Sequence, residues 1–322
     1  MRARVFHLGT LSLGAKRSGT KDFSAFSLEK SKCRRFRNGP ALEYPGPRCK
    51  ILGVSQFIQK GNRVMFANYH THTTRCNHAV GTEKEYVEAA IQNGLKVLGF
   101  SDHAPYPYPD PTPYYTKHTM KLQELDDYCD TILALRREYQ NDIDIYLGLE
   151  TEYYPAYFDR HMDNLANYPI DYLILGQHFL GNGEDGPGSI ARTTDPSRLI
   201  QYCDLVIEGL ATGRFTYIAH PDLIGFMGDP NIYDTQMRRL CKCAKALNLP
   251  AEINFHGYFG STHYPNDAFW RIAGEEGCPV VYALDAHTPV EFQFQERLTK
   301  ARNLVSRYNL QVLDVVPLRN PL

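Results

Sequence analysis

From Met65 to Leu322 short apolar runs alternate with longer amphipathic ones, seven times over. No other feature of the sequence constrains the fold as much. The short runs are Val64–Tyr69, Lys96–Ser101, Ile143–Leu149, Asp171–Leu175, Phe215–Ala219, Pro250–Ile253 and Pro279–Leu284, rich in branched and aromatic residues that suit strands. Thr82-Glu83-Lys84-Glu85 is a capping box opening a helix that Gly94 ends. Further helices are expected over Met120–Tyr139, His161–Ala166, from Asp195-Pro196, over Asp234–Leu247, Pro265–Gly274 and Pro289–Tyr308, with a last short strand at Gln311–Val315. Strands separated by helices pair in parallel, so the fold class is α/β with a parallel sheet.

The strand ends carry the chemistry. His70 and His72, with His78 just beyond, follow the first strand. Asp102-His103 ends the second, Glu150 the third, Gly176-Gln177-His178 the fourth, His220-Pro221-Asp222 the fifth and Asp285-Ala286-His287 the seventh. Residues two apart on a strand point the same way, so His70 and His72 aim at one spot. A lone histidine at a strand end is ordinarily solvated or hydrogen-bonded; the recurrence at strand after strand is what argues for a site. Active sites of closed β/α barrels lie at the carboxyl ends of the strands, and residues 65–322 are about the size of one such barrel. An open doubly wound sheet is the alternative, but it would spread these groups along an edge.

The candidate metal ligands are His70, His72, His78, His103, Glu150, His178, His220, Asp285 and His287. Nine exceed what one ion uses and suit two or three divalent ions, zinc, manganese or iron, with Glu150 as a bridge. Asp102 and Asp222 adjoin ligands and are assigned to orienting imidazoles. Arg192 and Arg75 are candidates for pairing with a phosphate, and each reads equally as a solvated arginine. His256 and His263 are weaker candidates for substrate contact; His118 and His161 are assigned to the surface and Cys76 to packing. Gly181–Gly188 lacks the Lys-Ser/Thr ending of a phosphate loop and reads as a lid. Tyr106, Tyr108, Tyr114 and Tyr115 form a cluster that either stacks on a flat ring or packs a loop.

Charge is divided unevenly. Residues 1–64 hold 14 of the 35 Lys and Arg but 3 of the 36 Asp and Glu, leaving +11 there and −12 in the remainder. An acidic main segment argues against nucleic acid as a partner. No run of about 18 apolar residues suits a membrane span. The scattered cysteines read as reduced packing residues of a cytoplasmic protein. The basic first 64 residues are expected to be disordered, as an extension upstream of a native start at Met65; an organelle transit peptide is the other reading.

In this order, His70-Thr71-His72-Thr73 with His78, Ser101-Asp102-His103, Gly148-Leu149-Glu150, Gly176-Gln177-His178, Ala219-His220-Pro221-Asp222 and Leu284-Asp285-Ala286-His287 resemble the polymerase-and-histidinol-phosphatase (PHP) superfamily. Gly148–Tyr154, Gly176–Phe179 and Glu252-Ile253-Asn254 look most like its histidinol-phosphate phosphatases. The resemblance implies a distorted (β/α)7 barrel, similar to a TIM barrel, over residues 65–322, with a multinuclear metal site. It also implies hydrolysis of L-histidinol phosphate, a small phosphoester, in histidine biosynthesis. Leu284 departs from the Ser usual before that Asp. Two alternatives stay open: a phosphoesterase of the same superfamily with another substrate, and an amidohydrolase-like metal hydrolase, for which the fourth strand lacks the ending lysine. The general acid and the oligomeric state stay unassigned.

Overall fold

A computed structural model describes residues 65–109, 117–184, 186–259 and 262–322. The expectations for residues 1–64 and for Tyr114 and Tyr115 fall outside them.

The strands are β1 (Ala67–Asn68), β2 (Val97–His103), β3 (Asp144–Thr151), β4 (Tyr172–Leu175), β5 (Tyr217–Ile218), β6 (Ala251–Asn254), β7 (Pro279–Ala283) and β8 (Gln311–Val312). They form one parallel sheet in sequential order. The ends of the seven-strand run join through Thr71 and Ala286: His72 N–H donates to Ala286 O at 2.9 Å and Ala286 N–H to His70 O at 3.3 Å. The Asn68 carboxamide adds to this seam, donating to His70 O at 3.1 Å and accepting from Leu284 N at 2.8 Å. β8 continues the sheet beyond β7.

The helices are α1 (Glu83–Gln92), α2 (Leu125–Glu138), α3 (Phe158–Leu165), α4 (Pro196–Ala211), α5 (Pro230–Ala246), α6 (Asp267–Glu276) and α7 (Gln295–Tyr308). The Thr82–Glu85 capping box forms, and Asp195 caps α4 with Pro196 in its first turn. The start expected at Asp234 is corrected to Pro230, capped by Asp229 in the same Asp-Pro manner. The expected continuous helix Pro289–Tyr308 is broken into a short 3-10 turn (Pro289–Phe292) and α7. Phe292 and Phe294 are both fully buried. Residues two apart in an α-helix face different sides, so a continuous helix would expose one ring.

Two apolar clusters build the interior. The larger packs helices against strands; the smaller includes Tyr69, Tyr172, Ile174, Tyr217 and Val281. The Tyr172 hydroxyl donates to Tyr69 O at 2.7 Å. A methyl group on Gly148 would overlap the Tyr172 ring, so this glycine is what lets the tyrosine pack against β3. No helix among the described residues is long and apolar enough to cross a membrane.

His161 corrects the sequence reading outright. It is fully buried in α3, stacked on Tyr106 with ring centroids 4.2 Å apart, and neither ring nitrogen has a hydrogen-bond partner. Burial pushes its imidazole down to about 3. The unfolded chain, with an ordinary histidine near 6.5, takes up this proton first. Its contribution is therefore whole above about pH 6.5 and lost as pH falls towards 3, at up to about 1.4 kcal/mol per pH unit. His161→Leu is expected to lose less stability than the wild type between pH 7.5 and 5.5 in denaturant titrations. Equal losses in the two proteins refute this.

Candidate metal centre

Every strand-end candidate for metal binding lies at the same mouth of the sheet. β1 delivers His70 and His72, whose Nε2 atoms approach to 3.1 Å. The loop after β1 brings His78, whose Nε2 lies 3.0 Å from that of His287, beyond β7. Around Glu150, from the end of β3, stand His103 Nδ1 at 3.1 Å, His70 Nε2 at 3.3 Å, His178 Nε2 at 3.5 Å and His220 Nε2 at 2.8 Å. Asp285 Oδ1 lies 2.9 Å from His72 Nε2 and 3.4 Å from His70 Nε2.

The opposite nitrogens explain why these rings point inward. His70 Nδ1 meets Glu252 Oε2 at 2.9 Å, and His72 Nδ1 meets Asp102 Oδ1 at 3.3 Å. His78 Nδ1 lies 2.7 Å from Cys76 O, His178 Nδ1 3.2 Å from Glu152 Oε1, and His287 Nδ1 3.0 Å from Asp285 O. An oxygen acceptor fixes the proton on Nδ1 and leaves a lone pair on Nε2. In their neutral forms five rings thus turn lone pairs towards one another and towards carboxylates. Such an arrangement is repulsive by itself and is the donor set that a divalent cation satisfies.

Charge supports the same fit. Asp102, Glu150, Glu152, Glu252 and Asp285 are all buried, and no Lys or Arg among the described residues pairs with any of them. Glu150 Oε2 and Asp285 Oδ1 are buried without a hydrogen-bond partner. Buried anions that no lysine or arginine offsets are costly, so the cluster calls for cations, protonated imidazoles or metal ions. Burial works to raise Glu150 and Asp285, but surrounding imidazoles outweigh it and hold both well below the usual carboxylate range. Burial works to lower His70 and His72, yet the neighbouring carboxylates push both well above an ordinary histidine. In His103 burial wins and holds the ring neutral. Several triads, among them His70–His72–Glu150, His70–His220–Asp285, His72–His103–His287 and Cys76–His78–His287, keep their donor atoms within 4.8 Å of one another. Each of these triads has the donor spacing that could hold a divalent ion.

Backbone conformation contributes too. His220 (φ 27) and Asp285 (φ 52) occupy the left-handed region, uncommon outside glycine, and both sit in the cluster.

The remaining sequence candidates separate. Asp102 holds His72 and accepts from Thr73 N at 3.2 Å. Asp222 does not hold an imidazole: it accepts from Trp270 Nε1 at 2.9 Å and Asn266 N at 2.6 Å, bracing the start of α6. Burial pushes its carboxyl up to about 6. Arg75 is committed elsewhere, to Glu83, to Asp127 at 2.6 Å and over the Tyr128 ring, so its fork is not free for a phosphate. Arg192 is exposed and lines no part of the cavity at this mouth. Tyr106 and Tyr108 stack on each other and pack, and do not line that cavity. His263 is tied to Leu223 O at 2.6 Å, whereas His256 lines the cavity, 3.5 Å from Glu291. His118, assigned to the surface, is half-exposed and still lines the cavity.

Sequence reasoning missed Glu252, Glu152 and Asn254 as parts of the site. Asn254 donates to Glu252 Oε1 at 2.6 Å and to Asp285 Oδ2 at 3.0 Å. Their signal was the strand period: Glu252 and Asn254 are two apart on β6, as Glu150 and Glu152 are at the end of β3. The cavity over the cluster has a volume of about 380 Å³, a size suited to a small molecule.

Residues 68–256 match the PHP domain family. The "Probable histidinol-phosphatase" of Deinococcus radiodurans is 32% identical over 246 residues, covering 74% of this chain and 93% of that protein. A "Probable histidinol-phosphatase" of Schizosaccharomyces pombe is 27% identical over 259 residues, covering 72% and 84%. A crystal structure of histidinol phosphate phosphatase from Lactococcus lactis, complexed with zinc, L-histidinol and phosphate, shares the fold with a TM-score of 0.61 at 15% identity, covering 79% of this chain and 99% of that one. With more than half its length matched by that family, and a mouth built from the strand-end residues that carry the sequence resemblance, the chain belongs to the PHP domain family.

Proposed function

We propose that this protein is a metal-dependent phosphomonoesterase that hydrolyses L-histidinol phosphate to L-histidinol and phosphate. The observation that carries the reading is the set of five imidazoles anchored through Nδ1: the Nε2 atoms of His70, His72 and His178 converge on buried Glu150 and Asp285, and those of His78 and His287 meet each other at 3.0 Å. The relatives named for this activity and the solved enzyme holding L-histidinol and phosphate support the choice of substrate.

His70, His72, His78, His103, Glu150, His178, His220, Asp285 and His287 would hold two or three divalent ions, of zinc, manganese or iron. Bound there, such ions supply Lewis acidity for phosphoryl oxygens and a water acidic enough to be a nucleophile near neutral pH. The chain's own part is to orient. Glu252, Asp102 and Glu152 fix the imidazoles of His70, His72 and His178, and Asn254 steadies Glu252 and Asp285. Because Arg75 is engaged and Arg192 stands away, the phosphate meets no guanidinium from the described cavity wall. The buried floor keeps bulk water off the donors, which strengthens every charge interaction made there.

The test is a panel of phosphomonoesters that includes L-histidinol phosphate, run on the full chain loaded with manganese, zinc or iron. The highest kcat/KM is expected for L-histidinol phosphate. Strong preference for another phosphoester keeps the chemistry and overturns the substrate; no hydrolysis of any ester in any metal form overturns the reading as a whole.

A further inference from the structure

A phosphoryl group handled by the ligand cluster lies at the floor of the cavity, so the alcohol part of an ester runs outward along the walls. Phe179, Ile190, Leu223 and Tyr264 make those walls apolar in part. His118, Thr119 and Glu184 contribute a polar stretch, and no Lys or Arg is among the described lining residues.

Glu184 is the unusual member. Its side chain is 6% exposed. Oε2 accepts from Lys117 N at 2.8 Å and meets His118 Nδ1 at 3.1 Å, and Oε1 accepts from His118 N at 3.0 Å. These partners hold the carboxylate in place, and among the described residues no Lys or Arg side chain pairs with it. The His118 ring stands edge-on to that of His78 at 5.6 Å, which sets Glu184 one imidazole outward from the ligand cluster. A fixed, nearly dry carboxylate at that depth creates a negative potential where the alcohol part of the ester passes. A carboxylate there gains most from an ammonium group, through a charge-assisted hydrogen bond.

We propose that Glu184 is a specificity-determining residue that receives the ammonium group of a phosphorylated amino alcohol; this rests on the phosphatase reading above and assigns the side chain that selects its substrate. The apolar stretch of Phe179, Leu223 and Tyr264 accommodates the rest of the alcohol. Esters without a cationic group leave Glu184 without its charge partner and are poorer substrates.

Glu184 also ties down residues 117–118, so its two roles need separating. Glu184→Gln keeps an oxygen for the backbone N–H groups and removes the charge; Glu184→Ala removes both. Wild type and both variants, as full chains carrying the same metal, are compared on L-histidinol phosphate and p-nitrophenyl phosphate, and their affinity for L-histidinol is measured by calorimetry. In Glu184→Gln the ratio of kcat/KM for L-histidinol phosphate to that for p-nitrophenyl phosphate is expected to fall about 10- to 100-fold, mainly through KM, with a parallel loss of L-histidinol affinity. An unchanged ratio with unchanged L-histidinol affinity overturns the proposal, as does a loss confined to Glu184→Ala. If the wild type hydrolyses neither ester, the phosphatase reading falls, and the calorimetric comparison still decides the role of Glu184.

Discussion

Asp285→Asn is expected to lower kcat by about 10³-fold while the fold survives. The substitution suits the site because residue 285 has φ 52, a left-handed conformation that Asn adopts more readily than most residues. Asn also keeps an oxygen and nearly the same volume, so backbone strain and packing change little. What is lost is the negative charge facing His70 and His72, with Oδ1 2.9 Å from His72 Nε2. A metal-stabilised transition state draws several kcal/mol from such charge, and each ~1.4 kcal/mol is tenfold in rate. The check is kcat on L-histidinol phosphate beside metal stoichiometry and a melting curve. Near-normal turnover after metal repletion would remove Asp285 from the centre.

Gly176→Ala is expected to be equally damaging, though residue 176 contributes no side chain. A Cβ at Gly176 would overlap Glu150 Oε1 outright and lie 2.7 Å from Glu150 Cδ. Glu150 is buried among His70, His103, His178 and His220 and has no room to retreat. Adding one methyl therefore moves the carboxylate at the middle of the cluster. The expected results are loss of at least one bound ion, kcat reduced about 10³-fold, and a stability cost of ~1–3 kcal/mol from overpacking. Full metal loading with wild-type kcat would show that Glu150 has freedom this geometry denies it.

Much of this architecture could be read from the strand period. Runs such as Lys96–Ser101 and Ile143–Leu149 are short, apolar and separated by helical patterns, which leaves a parallel sheet as the consistent arrangement. His70, His103, Glu150, His178, His220 and Asp285 were visible because each follows such a run directly. Glu252 was not, because a single acid within an apolar strand says nothing about which imidazole it faces across the sheet. Arg75 failed for the complementary reason: its place next to His72 and His78 in the chain says nothing of Glu83 and Asp127, which claim it in space. His161 was misjudged because the four other polar residues of α3, Asp159, Arg160, Asp163 and Asn164, mask a position that turns towards Tyr106. Tertiary context decided all three.

The seam between β1 and β7 has a consequence for synthesis. His78 and His287 are 209 positions apart in the chain and meet only after the last barrel strand has docked on the first. During translation a nascent chain that has emerged as far as α6 possesses its early histidines but lacks Asp285 and His287. Closing so long a loop costs only slightly more entropy than closing a shorter one. On the proposed ligand set, complete ion capture would therefore wait on the final barrel strand, and a fully loaded molecule would be one whose barrel has been made to its last strand.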